Sequence, residues 1–207
     1  MSVEEVMQKW VLASNNQGKL TEFQNLFDKA NLPVCIIPQG QLGIDDAVED
    51  GLSFVENAII KARHASKISG LPAIADDSGL CVPVLNNMPG IYSARFAGKH
   101  GDDKANNTKL IQELDCFYPN SVKGEFVCAL VFVRHANDPL PVIAQGCWQG
   151  EVLNQEMGEN GFGYDPLFFI PELNKTSAQL DKNLKNTISH RAKAMNELLK
   201  KLQFIDF

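Results

Sequence analysis

Two adjacent carboxylates, Asp76 and Asp77, close a short apolar run and are followed at once by Ser78-Gly79-Leu80. Carboxylate oxygens suit a hard divalent cation such as Mg²⁺, and a carboxylate beside such a cation can also accept a proton from water. Neighbouring side chains of an extended strand point to opposite faces, so both acids serve one ligand only if the strand breaks. The Ser78-Gly79 pair is where a break is expected, because glycine supplies a permissive backbone there. The plain alternative is a solvated turn.

Three further groups have side chains suited to chemistry. Ser14-Asn15-Asn16-Gln17-Gly18-Lys19 is a polar loop between the apolar run Trp10–Ala13 and a helical pattern of Leu20, Phe23, Leu26 and Phe27 that runs to about Ala30. A strand, polar loop and helix in this order set backbone N–H groups at a helix N-terminus, which suits an anion, although the same residue types also serve as plain helix caps. The loop is not a Walker A sequence, since Leu20 follows Lys19 and Ala13 stands where the first glycine belongs. Gly158-Glu159-Asn160-Gly161-Phe162-Gly163-Tyr164-Asp165-Pro166 sets aromatics among glycines. Such aromatics either lie against a planar ring such as a purine or plug into the core. Ser189-His190-Arg191 opens the last helical pattern, expected to start near Asn186-Thr187 with Ile188, Ala192, Met195, Leu199 and Leu202 on one face. Cationic groups are disfavoured at that helix end unless a ligand offers acceptor oxygens.

The elements that must position these groups alternate between strand and helix. Val34–Ile37 reads as a second strand and Asp45–Asp50 as an acidic loop. Ser53 and Glu56 form a capping-box pattern ahead of a helix with Val55, Ala58, Ile59, Ala62 and Ala65 on its apolar face. Asn57, Lys61 and His64 lie on another face of that helix, with Glu49 just before it; Glu49 and Lys61 read alone as solvated surface charges. Asp102 or Asp103 caps a helix carrying Leu110, Ile111 and Leu114, and Val122–Arg134 pairs with Val142–Trp148 as long antiparallel strands.

The chain of 207 residues reads as a single domain with a sizeable core, and its formal charge of −6 argues against a nucleic-acid partner. Five cysteines without a Cys-x-x-Cys pair fit neither a disulfide framework nor structural zinc. No signal peptide or transmembrane stretch is visible, so a cytoplasmic protein without membrane contact is expected.

A loop for phosphates, an acid turn, a glycine-framed aromatic, and the late Lys185 and His190-Arg191 describe a nucleotide site. These motifs, together with Pro89-Gly90-Ile91-Tyr92-Ser93-Ala94-Arg95, resemble in order and over nearly the whole chain the Ham1/RdgB family of inosine/xanthosine triphosphate pyrophosphatases (dITP/XTP pyrophosphatases). The resemblance implies an α/β fold of the ITPase/Maf-like kind: a long, bent mixed β-sheet flanked by helices, two lobes around a central nucleotide cleft, and a homodimer. It implies Mg²⁺-dependent hydrolysis of a purine nucleoside triphosphate (ITP, dITP or XTP) to monophosphate and pyrophosphate. By motif match, Asp77 would accept the proton and bind the metal with Glu49. Ser14, Asn15, Asn16, Gln17, Gly18 and Lys19 would grip the phosphates. Ser78, Phe162, Gly163, Tyr164, Asp165, Lys185, His190 and Arg191 would hold the nucleotide. One departure stands in the first loop, where the family form Thr-Gly-Asn is replaced by Ser14-Asn15-Asn16, and residues 1–8 lie outside the match as a short extension. The alternatives are a Maf-like pyrophosphatase for other modified nucleotides and a non-catalytic nucleotide sensor.

Overall fold

The computed structural model describes residues 7–118 and 121–203. Strand β1 (Gln8–Leu12) leads into helix α1 (Gln17–Lys29), strand β2 (Val34–Pro38), helix α2 (Phe54–Ser69) and strand β3 (Ala73–Val82). A two-residue strand β4 (Met88–Pro89), helix α3 (Asp103–Leu114) and two 11-residue strands, β5 (Lys123–Val133) and β6 (Val142–Val152), follow. Short strands β7 (Phe168–Ile170) and β8 (Lys175–Thr176) precede helices α4 (Lys182–Ile188) and α5 (His190–Leu202). Among the described residues the strands form one sheet in the order β2-β1-β3-β5-β6-β7-β8, with β4 on β3. Strand β1 pairs parallel to β2 and β3, whereas β3–β4, β6–β7 and β7–β8 are antiparallel. The fold is the expected mixed α/β sheet with flanking helices.

The chain divides into two compact units. One comprises the chain up to Asp77, Ala129–Gln145 and the chain from Ala194; the other comprises Ser78–Cys128 and Gly146–Lys193. In the first unit, alternation along β1 decides which helix covers which face. Trp10 meets Phe27 of α1 edge-on at 5.5 Å and lies 4.4 Å from Phe132 of β5. Its neighbours Val11 and Ala13 join Ala58, Ala62 and Ala65 of α2, with Ala73, Ala75, Ala129, Val131 and Val133. The alanine face of α2 brings that helix close to the sheet, and Ser53 starts it by accepting the Glu56 N–H at 3.3 Å.

In the second unit Leu80, Phe96, Leu110, Leu114, Phe126, Trp148, Tyr164 and Phe168 build a separate core. Helix α3 is capped by Asp102, whose Oδ1 accepts the Ala105 N–H at 3.1 Å. Strand β7 pairs with β6 at Glu151–Phe169 and Val152–Phe168. Farther back along β6, Lys201 of α5 donates to the Ile143 carbonyl and Lys193 to the Cys147 carbonyl, each at 2.8 Å.

Three expectations are corrected. Strand β3 does not break at Ser78-Gly79 but runs on to Val82, because Cys81 pairs with Pro89 and Val82 with Met88, while the Leu80 N–H donates to Ser93 Oγ at 2.9 Å. The last helix starts at His190 rather than near Asn186: Ser189 is extended, at φ −66° and ψ 162°, and separates it from α4. Its buried face is Ala194, Met195, Leu198 and Leu202. Of residues 1–8, set aside as an extension, Gln8 already pairs with Val34, and residues 1–6 lie outside the described residues.

Trp10 is fully buried against aromatic rings from α1 and β5. Trp10→Ala is expected to cost about 3–5 kcal/mol, measured as a shift in the urea unfolding midpoint; a loss below about 1 kcal/mol would show that this packing contributes little.

Candidate active site

The polar loop after β1 is held by its own side chains. Ser14 Oγ accepts the Asn16 N–H at 3.2 Å, and Asn16 Oδ1 caps α1 by accepting the Lys19 N–H at 3.0 Å. Asn15 reaches across the unit, where its Oδ1 accepts the Gly40 N–H at 2.7 Å. A Cβ on residue 40 would meet that amide at 2.3 Å, so a larger residue there would displace the Asn15 side chain from this bond. These oxygens are thus spent on shaping the loop. The N–H groups of Gln17 and Gly18 lie in the first helical turn, which has no intrahelical acceptors, and both residues are exposed. Lys19 is steered by an ion pair, its Nζ standing 2.7 Å from Asp76 Oδ1.

Because β3 continues, Asp76 and Asp77 part company. Asp76 turns to the α1 face and pairs with Lys19, whereas Asp77 turns to α2. There Lys61 Nζ lies 3.0 Å from Asp77 Oδ1 and 3.3 Å from Glu49 Oε1. Asn57, fully buried, donates to Asp77 Oδ2 at 3.2 Å and accepts the Gly51 N–H at 2.9 Å. His64 reaches the Asp45 carbonyl at 3.0 Å, so the polar face of α2 that carries Asn57, Lys61 and His64 anchors the acidic loop at three places.

The electrostatics are unequal. Burial works against the Lys61 charge, but Asp77, Asp76 and Glu49 outweigh it and hold the ammonium above the usual lysine range. For Asp77, burial is the largest influence and raises the carboxyl; Lys61 and Asn57 oppose it, Glu49 adds to it, and the result lies above the usual aspartate value. One ammonium shared by Asp77 and Glu49 leaves both carboxylates short of positive charge. That deficit is what a divalent cation would supply. Among the described residues no group of three or more His, Cys, Asp or Glu side chains is arranged to hold a metal. Two carboxylates nevertheless fit Mg²⁺, which is commonly held by one or two carboxylates, with waters and substrate phosphates completing its shell.

In the second unit the glycine-rich loop splits its aromatics. Phe162 is 62% exposed, flanked by Gly161 and Gly163 in the left-handed region, at φ 83° and 60°. Tyr164 is a core residue, its hydroxyl donating to the Ser93 carbonyl at 2.9 Å. Its side chain is therefore placed inside rather than toward a ligand. Asp165 is also buried: its carboxylate accepts from the Phe162 N–H at 2.9 Å, the Ser177 hydroxyl at 2.7 Å and Lys185 Nζ at 2.5 Å. Asp165 thus braces the loop. Lys185 and Arg191 stand over the Phe162 ring, 5.6 and 5.8 Å from its centroid. His190, 9% exposed, stacks on Phe126 at 4.8 Å with 12° between planes, and the Ser189 hydroxyl receives the Ala192 N–H at 3.3 Å. Ser78 is half-buried in β3. Lys19, Glu49 and Asp77 therefore gather in one unit, while Phe162, Asp165, Lys185 and Arg191 gather in the other.

The Ham1 family pattern matches residues 10–201 of the sequence. This chain belongs to the Ham1 family. A dITP/XTP pyrophosphatase of Acinetobacter baumannii (strain ACICU) is 64% identical over 195 residues, 93% of this chain and 94% of that one. The solved structure of a HAM1 protein from Coxiella burnetii is similar at a TM-score of 0.91, with 44% identity over 96% of this chain and all of that one. The Staphylococcus aureus Ham1 protein follows at a TM-score of 0.85, with 41% identity, 95% of this chain and 98% of that one.

Within this Ham1 chain, Lys61 and Asn57 are the residues that reading the sequence alone undervalued. The available signal was a polar stripe at i and i+4 on a helix whose other face is alanine-rich. The exposed Phe162 and buried Tyr164 were indistinguishable by type. Tyr164→Phe is expected to cost about 1–2 kcal/mol by leaving the Ser93 carbonyl unpaired, read as a fall in thermal midpoint, with KM for substrate unchanged; a raised KM at unchanged stability would return the hydroxyl to the site.

Proposed function

We propose that this chain hydrolyses the non-standard purine nucleotides ITP, dITP and XTP to monophosphate and pyrophosphate in a Mg²⁺-dependent reaction. The observation that carries the proposal is the sharing of the Lys61 ammonium by Asp77 and Glu49, a cation-seeking acid pair beside a lysine. The name of the A. baumannii relative supports the same substrate class. Asp77 and Glu49 would hold the metal, which when bound neutralises charge on phosphate oxygens. Asp77, its carboxyl raised by burial, takes a proton from the attacking water. The water oxygen forms a bond to phosphorus, one P–O bond of the α–β anhydride breaks, and pyrophosphate leaves. Lys19, held by Asp76, and the first-turn N–H groups of α1 bind phosphate oxygens.

The base is assigned to Phe162, His190 and Arg191. Phe162 offers a face for stacking, worth ~1–3 kcal/mol per base. His190 and Arg191 present donors to a 6-oxo group, and the 6-amino group of adenine would leave such donors unpaired. The proposed role is removal of deaminated purine nucleotides from the cytoplasmic pool by a homodimer.

The test is pyrophosphate release with Mg²⁺ across ITP, dITP, XTP, GTP and ATP, with the nucleotide product identified by chromatography. Turnover of the first three to monophosphate, together with a fall of at least ~10²-fold in kcat for Asp77→Asn, is expected. Orthophosphate as product would reassign the bond cleaved. Tight ITP binding without turnover would make the chain a sensor.

A further inference from the structure

Helix α3 carries a face on which Asp103, Asn107, Leu110 and Leu114 follow one another at helical spacing. The C-terminal half of that face is ordinary core, with Leu110 and Leu114 fully buried. The N-terminal half replaces leucine by an acid and an amide. Asparagine is a weak helix former, and Asn107 is 3% exposed with no hydrogen-bond partner for its Oδ1 among the described residues. Burying an unpaired acceptor costs stability, so fold stability alone does not account for its position.

Both polar residues reach the glycine-rich loop. Asp103 Oδ2 accepts the Gly163 N–H at 2.7 Å. Asn107 Nδ2 donates to the Gly163 carbonyl at 3.2 Å and to Glu156 Oε1 at 2.7 Å. Both of its partners are acceptors, which fixes the orientation of the amide. The residue before, Phe162, has its own N–H on Asp165. The Phe162 N–H and the N–H and C=O of Gly163 are therefore tied, while the ring of Phe162 stays 62% exposed. A solvated aromatic on so fixed a backbone is a surface prepared before its ligand arrives, and such preparation lowers the ordering cost of binding.

We propose that Asp103 and Asn107 are positioning residues for base recognition: by clamping the N–H and C=O of Gly163 they set the Phe162 ring where a planar base stacks. The inference rests on the reading that Phe162 meets the base of the nucleotide. Asp103 and Asn107 touch neither substrate nor the reacting phosphate.

The experiment measures the affinity of inosine monophosphate and of pyrophosphate by calorimetry, with KM and kcat for ITP, in Phe162→Ala, Asp103→Ala, Asp103→Asn, Asn107→Ser and the Phe162→Ala/Asp103→Ala double variant. Asp103→Ala and Asn107→Ser are expected to weaken inosine monophosphate binding and raise KM by about tenfold, a part of the stacking energy, with kcat and pyrophosphate affinity little changed. Amide exchange at Gly163 should quicken in the nucleotide-free protein. Asp103→Asn, which keeps an acceptor oxygen, should restore most of the affinity. Asp103→Ala should add nothing in the Phe162→Ala background. Unchanged inosine monophosphate affinity in Asp103→Ala, where Phe162→Ala weakens it, overturns the positioning role, as do additive losses in the double variant. Unchanged affinity in Phe162→Ala itself overturns the stacking reading beneath it.

Discussion

The two-residue period of β3 is the constraint on which the placement of the two aspartates and their lysine partners depends. Since the strand passes through Asp76 and Asp77 without a break, adjacent carboxylates are sent to opposite faces of the sheet. Asp76 becomes the partner that aims Lys19 from α1, and Asp77 becomes the acid that meets Lys61 and Asn57 from α2. A doubled acid that looks redundant in the sequence is a division of labour in space. The same period places Trp10 under α1 and Val11 under α2, so one geometric rule orders both core and chemistry.

Electrostatic imbalance follows from that placement. Had Asp76 and Asp77 shared a face, three carboxylates would have crowded one lysine. Sending Asp76 away with its own lysine leaves Asp77 and Glu49 around Lys61. Asn57 completes the arrangement from a fully buried position, joining the Asp77 carboxylate to the loop that carries Glu49 through a single amide. In the second unit the same economy recurs, with Asp165 taking the Phe162 N–H, the Ser177 hydroxyl and the Lys185 ammonium, leaving the exposed ring of Phe162 to face solvent.

The N-terminal alternation of strands and helices, the Ser53 cap and the long β5 and β6 strands were legible from periodicity and capping chemistry, which are local signals. The continuation of β3 was not, because it depends on Pro89, Met88 and Ser93 meeting the strand from elsewhere in the chain. Helix α4 escaped notice for a different reason: it is seven residues long, and Ile188 stands four before Ala192, so the apolar spacing reads straight through the extended Ser189. The motif residues were singled out by type, but which of their side chains are buried and which exposed was not visible. Phe162 and Tyr164 flank the same glycine, yet the Tyr164 ring joins the core with its hydroxyl on the Ser93 carbonyl while the Phe162 ring stays exposed.

The lysines of α5 on strand β6 carry one more consequence. A long strand with open carbonyls is a template on which another chain's strand can build, and among the described residues β7 pairs with β6 at Glu151 and Val152, with the Leu153 N–H donating to the Leu167 carbonyl just beyond. Lys193 and Lys201 occupy the Cys147 and Ile143 carbonyls with ammonium groups, so an incoming chain would meet acceptors already taken. Helix α5 thereby occupies backbone acceptors that an added strand would need.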